Sequence, residues 1–194
     1  MKRWSSGNTI AWALALALAW SACPVWAQQP RFETAEAAVE AMNKAMQAGD
    51  WKAAAATFDT QAIKDFRAML MPVIDSLPQD QADAMVKTIF AAPSAASLRK
   101  QSDAEFFSGF MGGLMAMAGG KIEDTQVIGS VAEGESTRHV VVRNRVSAMG
   151  LSMTKMEVVS ALNTPQGWRL QLKGDMKGMA ETMARRLRAT PKAD

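Results

Sequence analysis

Tyrosine is absent from the 194 residues, and cysteine and histidine occur once each, as Cys23 and His139. These gaps exclude whole chemistries. A zinc or non-haem iron centre draws on several imidazole, thiolate or carboxylate ligands, a set that a single histidine does not supply. No Gly-x-Ser-x-Gly elbow is present for a serine nucleophile. Gly112-Gly113 and Gly119-Gly120 lack the Lys-Ser/Thr that follows a phosphate-cradling loop. No cofactor and no metal are therefore expected. An excess of one charge is lacking too. Of the 22 basic residues, Lys2 and Arg3 lie in the leader described next, and the rest nearly balance 19 acidic ones. That is no electrostatic footprint for nucleic acid.

The chain opens on an export signal. Met1-Lys2-Arg3 is a short positive start, and Ile10 to Trp20 is an uncharged apolar run. The run is too short for a bilayer core, which needs about 20 residues. Val25-Trp26-Ala27 fits the small-x-small cleavage pattern, so residues 1–27 are expected to leave and Gln28 to begin the mature protein. Ser21-Ala22-Cys23 resembles the end of a lipoprotein signal, although Trp20 stands where that pattern has an aliphatic residue. Periplasmic or secreted protein is the expectation; a lipoprotein anchored at Cys23 is the alternative, and the only route to membrane contact. Cleavage at Ala27 also removes the one cysteine, leaving stability to packing alone.

Residues 28–194 read as one domain, helices first and strands later. Thr34 is an N-cap, Glu36 suits the first turn, and Ala35, Ala38, Val39, Met42 and Met46 recur at helical spacing up to Gly49. Asp50 caps a short helix carrying Trp51, Ala54, Ala55 and Phe58. Thr60 begins a third, with Ile63, Phe66, Leu70, Val73, Ile74 and Leu77 in period and Pro72 set to kink it. Pro78 opens a fourth with Ala82, Met85, Val86, Ile89 and Phe90, which Pro93-Ser94 interrupts. Ser102-Asp103-Ala104-Glu105 has capping-box spacing ahead of an apolar helix from Phe106 to Ala118. Gly112-Gly113 costs that helix roughly 1 kcal/mol per glycine, so tertiary contacts must hold it.

From Gln126 the period becomes two. Strands are expected from Gln126, from His139 to Met149, from Leu151 to Leu162, and around Trp168, Leu170 and Leu172. A loop of Met149-Gly150-Leu151 would set Arg143 opposite Glu157 and Val142 opposite Val158, with Met156, Val158 and Leu162 on the apolar face. Asp175 to Arg188 reads as a C-terminal helix with Met176, Met179, Met183 and Leu187 on one side. The fold class is α+β: helices packed on a curved antiparallel four-stranded sheet, plus that last helix.

Thr34-Ala35-Glu36-Ala37-Ala38 through Gly49-Asp50-Trp51, then Phe58-Asp59, resembles the opening of nuclear-transport-factor-two-like (SnoaL-like) proteins. Val127-Ile128-Gly129, His139 to Arg143 and Gly167-Trp168-Arg169-Leu170 are similar to the family's curved sheet. The resemblance spans most of residues 32–173. It implies a cone of helices on a bent sheet, with a cavity in some members and dimers through the sheet in many. Family enzymes carry Asp, His or Tyr inside the cone. The longer helical region from Phe66 to Ala118 and the added C-terminal helix depart from the compact members.

Phe66, Phe106, Phe110, Met111, Met156 and Trp168 are the candidate cavity lining, and their chemistry suits a small apolar ligand. His139 sits at a strand start on the face of Arg143, a structural or surface position. Of fifteen methionines, Met69/Met71, Met115/Met117 and Met153/Met156 have copper(I)-like spacing, but their faces fit adaptable core filling better. Arg185, Arg186, Arg188 and Lys192 form a basic tail able to meet anionic lipid or an acidic partner. The expected function is a non-catalytic module binding a small apolar ligand or an envelope protein, with a homodimer open. The alternative is an isomerase or hydro-lyase using Glu157 or Asp124 in the cone.

Overall fold

A computed structural model describes residues 30–148 and 150–172, with Gly174, Gly178, Thr182 and Arg185 beyond them. The leader, the residue after Ala148 in the hairpin loop and, apart from Gly178, Thr182 and Arg185, the expected C-terminal helix lie outside the described residues.

Helices come first, as the periodicity requires. They are α1 (Ala35–Gln47), α2 (Trp51–Ala55), α3 (Thr60–Asp75), α4 (Gln79–Phe90), α5 (Ala95–Arg99) and α6 (Asp103–Met117). Thr34 and Asp50 cap α1 and α2 through their side chains, and Ser102 and Glu105 form the reciprocal box on α6. Asp59, one residue before the expected start, caps α3, and α3 runs through Pro72 to Asp75. The short α5 lacks an apolar period long enough to read. Ser94 and Ser97 cap it reciprocally, and the Asp83 carboxylate of α4 accepts from the Ala95 N–H at 2.7 Å.

The strands are β1 (Lys121–Glu133), β2 (Thr137–Ala148), β3 (Leu151–Thr164) and β4 (Gly167–Leu170), paired as an antiparallel meander in chain order. With the helices before it, this is the α+β architecture the sequence implies. β1 starts five residues before Gln126, in a stretch too polar to alternate, and two register shifts, at Ile122/Asp124 and Val127/Gly129, interrupt its pairing. Helix α1 lies across all four strands. Phe58, expected in the second helix, instead makes a parallel bridge with Leu170, flanked by Leu170 N–H to Thr57 O at 3.0 Å and Asp59 N–H to Leu170 O at 2.8 Å.

One expectation is overturned in β2 and β3. Val142 lies opposite Glu157 and Arg143 opposite Met156, one residue away from the charge-pairing register. Ala148 pairs with Leu151, so the connection holds two residues rather than three, and Gly150 takes the left-handed φ of +77° that such tight turns favour. A one-residue slip exchanges the faces of a strand. Val159 and Ala161 therefore point to the core, while Met156 and Val158 are more than half exposed on the far side.

Phenylalanine, not methionine, fills the interior. Phe58, Phe66, Phe90, Phe106, Phe107 and Phe110 are buried and meet edge-on or tilted, with Phe66–Phe110 at 4.8 Å and Phe58–Phe107 at 5.1 Å between centroids. Among the described methionines only Met42 belongs to this buried set; Met117, Met153 and Met156 are exposed. The expected methionine-rich core is thereby corrected to its margin, where Met46, Met69, Met71, Met85 and Met111 pack partly buried against it.

Candidate functional site

The sheet offers two faces of opposite character. On the inner face, towards α1, the apolar centre is Val140, Val142, Val159, Ala161 and Leu170. A polar cluster ties α1 to it: the Ser130 hydroxyl donates to Glu36, the Arg138 guanidinium lies 3.5 Å from the same carboxylate, and Arg138 stacks 6.0 Å from the Trp168 ring. The hydrogen bond from Ser130 chiefly holds the Glu36 carboxyl below its ordinary value, against the opposing effect of burial, with Arg138 adding to it.

Further along the same face, Asn144 stands opposite both Thr125 and Lys155, and its side-chain amide donates to the Glu157 carboxylate at 3.2 Å. Lys155 makes an ion pair with Glu157. The Glu157 carboxylate thus accepts from an ammonium and an amide, and no imidazole shares its face. His139 points the other way, bonded through Nδ1 to Ser160 at 2.9 Å and through Nε2 to Glu133 at 2.6 Å. Asp124, expected inside the cone, lies opposite Arg145 on the outer side and is exposed, because the bulge after Ile122 sets the alternation of β1.

The outer face carries Val131, Val141, Val158 and Met156. Val141 is directly opposite Val158, Met156 is opposite Arg143, and Val131 is opposite His139, so the four are neighbours across three strands. Val131 is 64% exposed, Met156 56% and Val158 53%. No helix of the described residues covers them, and exposed Arg143 and Arg145 border them.

The six candidate lining residues do not line one cavity. Phe66, Phe106 and Phe110 are fully buried against one another, and Met111 packs partly buried beside them. Trp168 is half-buried in β4 under Arg138. Met156 belongs to the outer face, the consequence of the shifted register. Met153 and Met156 fall on opposite faces, so the copper-like spacing brings no two thioethers together there. A groove of about 640 Å³ does touch Met156, but it is lined by Lys155 to Val158, Ser160, Gln171 and Leu172. Consecutive residues of a strand point alternately to its two faces, so this groove runs along the free edge of β3 beyond the end of β4. The sequence signal that was missed is the run Val131, Val141, Met156, Val158, legible as one patch only once the register is known.

Among the described residues no three His, Cys, Asp or Glu side chains gather in a metal-binding arrangement, and no helix is long and apolar enough to cross a membrane. No known family, curated protein or solved structure matches this chain.

Proposed function

We propose that this protein is a non-catalytic binding module, exported by its leader, that docks another envelope protein on the outer face of its sheet. One observation carries the reading: Val131, Val141, Val158 and Met156 form a contiguous apolar surface on a face that no helix of the described residues covers, bordered by two arginines. Methionine and arginine are enriched at protein interfaces, and a patch of this kind is what a partner desolvates. The resemblance to the nuclear-transport-factor-two-like fold is compatible with this role, since that fold hosts many non-catalytic modules. The interior supports it from the other side, because rings that fill one another's space leave an apolar ligand little room. The carboxylate that the alternative would use, Glu157, is engaged by Lys155 and Asn144 among others.

A photo-crosslinking residue at position 158, compared with one at Asp80 on the exposed start of α4, tests this in the producing cell's envelope. A protein captured from position 158 alone is identified, purified and titrated by calorimetry. Val158→Asp is expected to weaken that binding by at least about tenfold, since buried anchors at interface centres contribute ~2 kcal/mol or more. Equal capture from both positions, or binding indifferent to Val158→Asp, overturns the proposal. A crosslink joining two copies of this chain overturns it in favour of a homodimer through the same face.

A further inference from the structure

Between α1 and β1 lies a second groove, of about 370 Å³, with Glu40, Asn43, Lys44 and Gln47 on the helix side and Thr125 to Val127 on the strand side. Its lining is polar where the interior around it is apolar. Asn43 is only 7% exposed, an unusual place for an amide on the core-facing side of a helix. No described residue hydrogen-bonds its side chain. The Thr125 hydroxyl is buried and likewise without a partner, as is the side-chain oxygen of Asn144 opposite it on β2. Buried polar groups left unpaired are costly, and native structures satisfy them with a ligand or ordered water.

The mouth of the groove adds charge of both signs. Glu40 and Lys44 are one helical turn apart, in the order that pairs readily along a helix. No ion pair joins them or takes either to another described residue. An exposed carboxylate and an exposed ammonium therefore flank the Asn43 amide. A purely apolar guest would strand the Asn43 amide without a partner. A simple anion would meet Glu40, and a simple cation Lys44.

We propose that this groove binds a small zwitterion of amino-acid size. Its ammonium group meets Glu40, and its carboxylate meets Lys44 and accepts from the Asn43 side-chain amide between them. The volume falls within the few hundred cubic ångströms that small-ligand sites occupy. The proposal is independent of the docking face, which lies on the other side of the sheet.

Calorimetric titration of the purified protein with the common L-amino acids, one at a time, tests it. Propionate and n-propylamine serve as probes carrying only one of the two charges. At least one amino acid is expected to bind with a Kd below about 1 mM, and both single-charge probes at least about tenfold more weakly. Asn43→Leu is expected to weaken the amino acid by about tenfold, the scale of one lost hydrogen bond in a buried site. Lys44→Gln, at an exposed position that leaves the fold intact, is expected to weaken it by a similar factor. Failure of every amino acid to bind at about 10 mM, the result for a groove filled by water alone, overturns the proposal. So does binding matched by propionate or n-propylamine, or binding unchanged in Lys44→Gln.

Discussion

Arg67 shows how much one side chain does that its neighbours in sequence do not announce. It projects from α3 to the segment joining α5 and α6, where its guanidinium donates to the Gln101 carbonyl, to the Arg99 carbonyl at 2.9 Å and to Asp103 at 3.3 Å. It also lies 5.4 Å from the Phe106 ring, with its side chain only 17% exposed. A lysine has a point charge and no planar fork, so it cannot hold all these acceptors at once. Arg67→Lys is expected to destabilise the protein by about 2 kcal/mol in urea unfolding, the range for hydrogen bonds to a charged group. Local caps such as Thr34, Asp50 and Ser102 are legible because donor and acceptor lie within four residues. The bond from Ala95 to Asp83, twelve residues back, is not, because only the packing of α5 on α4 creates it.

Among the elements, α6 explains its own glycines. A Cβ on Gly109 would stand 2.7 Å from the Phe90 carbonyl oxygen, and one on Gly113 would overlap the Ile89 carbonyl of the same helix, α4. The glycines are thus the surface on which α4 and α6 approach backbone to backbone. Gly113→Ala gains about 1 kcal/mol of helix propensity. It must also push two helices apart, and overpacking of this kind costs about 1–3 kcal/mol. The backbone cannot rotate aside as a side chain can, so the clash wins. A net loss of stability is expected, and an unchanged or raised urea midpoint would refute the close-approach account. The strand elements teach a different lesson. Alternation in β2 assigns its faces correctly, with Val140 and Val142 inward and Arg143 and Arg145 outward. In β3 both sets of alternate residues include apolar ones, Met156 and Val158 against Val159 and Ala161, so the pattern admits either face. Turn length decided between them.

At the scale of the molecule, α1 meets the sheet through a charged junction, Glu36 with Ser130 and Arg138. Because the folded Glu36 carboxyl is held below 4.5, it contributes stability at neutral pH that is lost as pH falls below 4.5 and through the lower folded value. Glu36→Gln is therefore expected to be less stable than the parent at neutral pH, with the gap narrowing on acidification. Urea midpoints along a pH series check this, and a gap independent of pH would remove Glu36 from the account. Arg169 marks the other end of the sheet: 3% exposed, it donates to Pro30 O at 2.7 Å and stacks 5.6 Å from Phe32. Burial lowers its pKa, opposed by Asp59. The extended segment before α1 is thereby tied to β4, where Trp168 N–H also bonds Phe32 O at 2.9 Å.

Composition and period by themselves determined the α+β class, the order of helices before strands, the caps of α1, α2 and α6, and the apolar identity of α6. Each of these depends on interactions within a turn or a strand, so short-range pattern carries them. Only the tertiary structure decided the β2–β3 register, the outward position of Met156 and Val158, and the polar groove of Asn43 and Thr125. Those features arise where residues far apart in the chain meet. A single residue of register, set by the two-residue connection between Ala148 and Leu151, turns an expected apolar lining into an exposed face.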